Sequence, residues 1–284
     1  MHKKPNEHAA RASTSSLEKE ALAVALRREC AAFNAYALAF RGSGSMIGKH
    51  LELKYAHSLR VLQNAEAIAM GEDAFRHNPL AKRALLMAAL YHDLGRFEQL
   101  ARYQTFRDAD SINHGLLGAK LLRDKRFLSE ETPQLRRLVR AAVLWHNRLN
   151  LPQGAPEPLA TVSKALRDAD KIDIIGVLNE ELHPGHEPDK TIVLELRNDP
   201  KQYSPKALEA VMAGRAVLYA DMESVNDFRL LLCSWVFMLE FGSSLRLLVR
   251  NGYMENILAS LPPGQDMNKV RARVHNRLRD RTRH

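Results

Sequence analysis

Apolar residues in this chain recur at helical spacing along nearly its whole length, and that periodicity confines it to an all-α fold. A helix is expected to start at Ser15 or Ser16, with Glu18 to Glu20 in its first turn, and to run to Phe40. Arg41-Gly42-Ser43-Gly44-Ser45 breaks it. Further helices are expected over 47–70, 80–94, 114–122, 132–146 and 159–179, then over 205–217, 224–250 and 253–261. Residues 100–112 and the Pro152 to Pro158 stretch read as irregular, and His183-Pro184-Gly185-His186-Glu187-Pro188 as a turn cluster. The single plausible strand, 191–196, is too short to found a sheet.

The linear plan is a disordered lead over 1–16, a helical core over 17–180, a helical extension over 181–265 packed on that core, and a basic tail over 266–284. The tail holds Lys269 and six arginines against Asp266 and Asp280, more than half of the net charge of +9. Val270, Val274 and Leu278 fall on one stripe of it, as in a basic amphipathic helix whose end is solvated. Nucleic acid is a conceivable partner for such a tail.

Cysteine usage narrows the chemistry. Only Cys30 and Cys233 occur, so neither a disulfide framework nor a cysteine zinc site is available. No apolar run reaches the ~18 residues a membrane span needs, and the polar N-terminus lacks a signal-peptide core. The expectation is a soluble, cytoplasmic protein with no membrane partner.

The histidines and aspartates form an ordered series. His57 lies in an expected helix, and His92-Asp93 closes the apolar run from Ala81 to Leu90. His114 opens a helix, His146 ends one, and Asp168-Ala169-Asp170-Lys171-Ile172-Asp173 lies in the next. Taken alone, each histidine reads as a packed or surface residue. Together they offer only nitrogen and carboxylate donors, which suit Mn, Fe, Ni, Zn or Mg rather than copper or an iron–sulfur cluster. Glu98, Gln99, Asp108 and Asp110 are candidates to line the same cleft, and Asp227 is assigned no function.

Over about Lys54 to Gly176 the series resembles the HD superfamily of metal-dependent phosphohydrolases, defined by a His, a His-Asp doublet and a later Asp on a helical scaffold. His57 matches the first His, His92-Asp93 the doublet, and Asp170 the last ligand through Ala169-Asp170-Lys171-Ile172. His114 and His146 match the extra histidines of the dinuclear branch, and His92 to Gln99 resembles the HDxGRFEQ string of a bacterial HD group. Three-metal HD-GYP phosphodiesterases carry a Glu where this chain has Leu53, and a Gly-Tyr-Pro segment where it has Leu151-Pro152-Gln153-Gly154.

The resemblance therefore implies an HD-domain helical bundle with an additional C-terminal helical segment, and two divalent ions of the Mn, Fe, Ni, Co or Mg kind. His57, His92, Asp93 and Asp170 would hold one ion, and Asp93 would bridge to a second on His114 and His146. Lys171 would assist catalysis beside Asp93, while Arg60 and Arg96 would bind phosphate. The implied function is hydrolysis of a small, nucleotide-like phosphate mono- or diester through a metal-activated water. The alternative is a catalytically silent HD signalling module that binds a nucleotide or a protein partner.

Overall fold

The computed structural model describes residues 7–40, 46–183, 188, 190, 192–193 and 195–282. Helices follow one another throughout: α1 Glu7–Leu38, α2 Met46–Gly71, α3 Asp73–Arg76, α4 Pro79–Tyr91, α5 Leu94–Tyr103 and α6 His114–Asp124. After these come α7 Pro133–Trp145, α8 Leu159–Glu181, α9 Pro205–Met212, α10 Val225–Met238, α11 Gly242–Asn251, α12 Tyr253–Ala259 and α13 Gln265–Thr282. The protein is all-α. In place of the strand expected over 191–196, the described residues form turns, and Arg197 makes one isolated bridge with Ser224. With no second strand beside it, this segment contributes Val193 to an apolar core instead. Most of the His183–Pro188 cluster lies outside the described residues. Among the described residues no helix is long and apolar enough to cross a membrane.

Two compact units emerge, and their borders differ from the linear plan. The first takes residues up to 59 together with 79–159. In it α1 begins at Glu7, well ahead of the expected start at Ser15 or Ser16, so a helix occupies most of the lead expected to be disordered. Ala9, Ala10 and Ala12 explain this, because alanine carries the least helix cost of any residue. α4 packs against both α1 and α7, and α6 lies between α5 and α7. Every side chain from Ala84 to Tyr91 is buried, as expected for a helix enclosed on all sides. An aromatic cluster ties α1 to its neighbours: Phe33 stacks on Tyr55 at 5.7 Å and meets Tyr91 and Phe97 edge-on at 6.0 and 5.8 Å.

The second unit takes 60–78 and everything from 160 onward. Its core draws Ile175 and Leu178 from α8, most of α10, and Met267, Val270, Val274 and Leu278 from α13. The stripe read from the sequence is real, but the segment is a packed helix and not a solvated tail. The run expected over 224–250 is two helices, α10 and α11, separated at Leu239-Glu240-Phe241. There the Glu240 and Phe241 amides donate to the Asp168 carboxylate at 3.0 and 3.1 Å rather than to carbonyls one turn back.

Candidate metal centre

In the first unit the chain turns between α4 and α5, and the turn is the His92-Asp93 doublet. Asp93 has φ −97° and ψ 16°, in the sparsely populated bridge region that active-site residues often occupy. The turn is held from behind. Tyr91 donates its hydroxyl to buried Glu29 at 2.9 Å, and Glu29 also accepts the Leu128 amide at 3.3 Å. In front, Gly95 lets α5 touch α6, since a Cβ there would lie 2.2 Å from the His114 carbonyl oxygen. That glycine reads as a helix stop in the sequence. In the structure it fixes the distance between the doublet and His114.

Four imidazoles converge on Asp93. His57 comes from the middle of α2, His92 from the turn, His114 from the first position of α6 and His146 from the end of α7. Asp93 Oδ2 lies 3.5 and 3.7 Å from the Nε2 atoms of His57 and His92. Its other oxygen, Oδ1, lies 3.4 and 3.8 Å from those of His114 and His146. One carboxylate thus divides the histidines into two pairs, one per oxygen. Within each pair the Nε2 atoms approach closely, to 3.1 Å for His57 and His92 and 3.0 Å for His114 and His146. The donor atoms of Asp93, His114 and His146 all lie within 4.8 Å of one another.

The opposite ring edges show why these contacts fit cations. His92 Nδ1 meets the Ala89 carbonyl at 2.8 Å, and His146 Nδ1 meets the Val143 carbonyl at 2.6 Å. His114 Nδ1 lies 2.8 Å from both oxygens of Asp108. Carbonyls and carboxylates only accept, so each Nδ1 carries the proton, and in a neutral ring each Nε2 presents a lone pair. Burial and nearby Arg96 pull His114 down to about 3, which keeps its ring neutral. At His114 and His146 two lone pairs therefore face each other in a dry pocket, uncompensated unless a cation lies between them. Burial alone would raise the Asp93 carboxyl, yet Lys54, His92, His146 and Arg96 hold it well below the ordinary carboxylate range. The donor set fits divalent metal.

Asp108 organises the side behind His114. It accepts from Asn147 at 3.0 Å, from Gln99 at 2.9 Å and from Arg96 at 3.2 Å. Arg96 also donates to Gln99 Oε1 at 2.7 Å and to the Phe106 carbonyl at 2.6 Å. These bonds give the string after the doublet a purpose: Gly95 spaces the helices, Phe97 packs on Phe33, and Arg96 with Gln99 fixes the carboxylate that orients His114. Arg96 was expected to bind phosphate; its Nη1 is engaged in this network.

Lys54 is the residue that sequence reading missed. Its Nζ lies 2.8 Å from Asp93 Oδ2 and 5.3 Å from the Phe106 ring centroid. Its place one position after Leu53, three before His57, was the only hint.

The remaining expected residues belong to the second unit. Arg60 is occupied by Asp173 in a bidentate pair, Nε at 2.6 Å and Nη2 at 3.1 Å, so it serves α8 rather than a phosphate. Asp170 lies half-buried on α8, and Lys171 stands 6.0 Å from the Trp235 ring centroid. Burial and the charge of Arg167 bring Lys171 down to about 8. Asp168, two residues before Asp170, is bound to the α11 amides instead.

No curated protein and no solved structure matches the chain. The HD domain family matches residues 55–175, which span His57, the doublet, His114, His146 and Asp170. Residues 55–175 therefore carry an HD domain.

Proposed function

We propose that the protein is a metal-dependent phosphohydrolase with a two-ion centre, acting on a small nucleotide-like phosphate mono- or diester. The observation that carries this reading is the division of four histidines between the two oxygens of Asp93. His57, His92 and Asp93 Oδ2 would hold one ion, and His114, His146 and Asp93 Oδ1 the other. Asp170 is assigned to the first ion from its place in the Ala-Asp-Lys string. Two divalent ions so held would supply a water activated near neutral pH and offset charge on the phosphoryl oxygens.

The protein's own groups do the rest. Asp108 keeps His114 in the tautomer that presents Nε2, and Ala89 and Val143 do the same for His92 and His146. Lys54 brings an ammonium to the edge of the centre, placed to meet a phosphoryl oxygen. Lys171, brought down to about 8, can donate a proton or a hydrogen bond to the leaving oxygen. A cytoplasmic location accords with the two unpaired cysteines.

The test is reconstitution of metal-stripped protein with Mn²⁺, Ni²⁺, Co²⁺ or Mg²⁺, assayed on a panel of phosphate mono- and diesters. Turnover with at least one ion is expected, with two equivalents bound by elemental analysis and one after the double change His114→Ala, His146→Ala. A full metal load in that variant overturns the two-ion centre. Two bound ions without turnover on any ester would leave the silent signalling module as the better account.

A further inference from the structure

Away from the metal centre, α6, α7 and the loop between them carry two neighbouring cavities lined entirely by the first unit. The smaller, about 240 Å³, has Leu122 and Phe127 beside Arg126 and Arg136. The larger, about 490 Å³, has Leu116, Ala141 and Leu144 beside Lys120 and Arg137. Arg123 and Arg140 line both and therefore stand between them. Neither cavity is lined by an aspartate or a glutamate. Glu130 pairs with Arg28 and Glu131 with Arg28 and Arg83, outside the groove, while Asp124 takes the Nε of Arg123 at 2.8 Å.

Six cations thus share one groove, and the side chains of Arg126, Arg137 and Arg140 have no ion-pair or hydrogen-bond partner among the described residues. Converging guanidiniums repel one another, and an anion relieves that repulsion. Arginine meets phosphate through two parallel N–H bonds, which a lysine-rich surface cannot do. The smaller cavity opens at a strained loop, since Arg126 and Leu128 have φ of 56° and 60° without being glycine. The order of the chemistry is apolar, cationic, apolar.

We propose that this groove binds a phosphodiester flanked by two nucleosides, with the phosphate on Arg123 and Arg140 and one nucleoside in each cavity. That unit occurs both in a free dinucleotide and within single-stranded nucleic acid. The proposal is independent of the metal centre, none of whose ligands line the groove. It also moves any nucleic-acid contact from the basic C-terminal helix to the α6–α7 face.

The experiment is fluorescence anisotropy of a labelled single-stranded 12-mer on the full-length protein, with an unlabelled linear dinucleotide and inorganic triphosphate as competitors. The change Arg123→Ala with Arg140→Ala should weaken 12-mer binding at least tenfold and flatten its salt dependence. Each lost contact removes about 0.7 from the log–log slope for single strands. Removing two cations from the second unit, Arg250→Ala with Lys269→Ala, should change affinity less than twofold. Displacement by the dinucleotide identifies a free dinucleotide as sufficient, whereas binding of the 12-mer alone identifies the strand as the source. Either supports the site. Equal weakening in both double variants reduces the effect to net charge and overturns it. So does displacement by triphosphate as strong as that by the dinucleotide. Arg140→Lys, which keeps charge and helix but loses the fork, should fall between parent and double variant. A parent-like value there would also count against the groove.

Discussion

Asp93 and Asp168 are both buried, with 3% and 1% of their surfaces exposed, but their partners differ in kind. Asp93 is surrounded by imidazole nitrogens and an ammonium, all on side chains. Asp168 is bound by the backbone amides of Glu240 and Phe241 at the start of α11. Burial raises both carboxyls in principle. It prevails at Asp168, pushed up to about 6, and is overcome at Asp93 by the cations around it. Asp227 belongs with Asp168: its two oxygens accept the amides of Ser204, Glu223 and Ser224 at 2.6 to 2.9 Å. An aspartate holding backbone amides builds the fold. One that gathers ring nitrogens, with their own protons turned outward, is arranged for an external cation.

The comparison breaks most visibly at Asp93. Asp93→Ala should lower hydrolysis at least ~10³-fold and remove most bound metal, because in the proposed centre both ions would share that carboxylate. Thermal melting of the apoprotein should show a retained cooperative transition. A variant that keeps its metal and more than a tenth of its turnover would deny Asp93 the bridging place.

Asp108 sharpens the distinction between holding a metal and orienting what holds it. Asp108→Asn keeps the shape but loses an acceptor and the charge behind His114, and should weaken metal affinity about 10- to 100-fold. The measurement is a competition titration against a chromophoric chelator. An unchanged affinity would mean His114 needs no support from this carboxylate.

The two environments were unequally legible in the sequence. The helices carrying His57, His114, His146 and Asp170 each show their own periodicity, and the ligand types follow from local strings. What local strings could not carry was proximity. Lys54 acquires its role only when α2 meets the doublet, 39 residues on, and Asp108 only when the turn after α5 folds onto His114, six residues on. α5 was obscured because Gly95 signals a stop, whereas the fold uses its missing side chain for contact with α6. The α10–α11 break was hidden because its cause, Asp168, lies 72 residues upstream. The α13 stripe was visible, but its basic residues pointed to solvent. Arg271 and Arg273 instead donate to backbone carbonyls of the second unit while Val270 and Val274 are buried.

At Asp227 the expected effect is on stability. Asp227→Ala strips the acceptor from three amides, Glu223 and Ser224 at the start of α10 and Ser204 at the start of α9, and Ser204 and Ser224 are buried. A loss of about 3 kcal/mol is expected, at ~1–3 kcal/mol for each unsatisfied buried group after partial relaxation. Urea unfolding of the apoprotein measures it, and metal content of the folded variant should equal the parent's. Lost metal at unchanged stability would move Asp227 into the functional class.

The smallest effect, and the sharpest discrimination, is at Asp168. Asp168 and Asp170 are two residues apart on α8, about 200° around a helix of ~3.6 residues per turn, so they face different surroundings. Asp168→Ala leaves the two amides before α11 without their cap and should cost about 1–2 kcal/mol, the usual range for a lost N-terminal cap. Turnover should remain within a few-fold of the parent. Asp168→Asn keeps an oxygen for the amides and removes the buried charge, so its stability should match or exceed that of the alanine variant. Asp170→Asn, in contrast, should lose metal with little change in apoprotein stability. These measurements on the two residues separate the roles. If Asp168→Ala strips the metal while Asp170→Asn retains it, the two aspartates have been assigned in the wrong order, and backbone amides are not the mark of a structural carboxylate here.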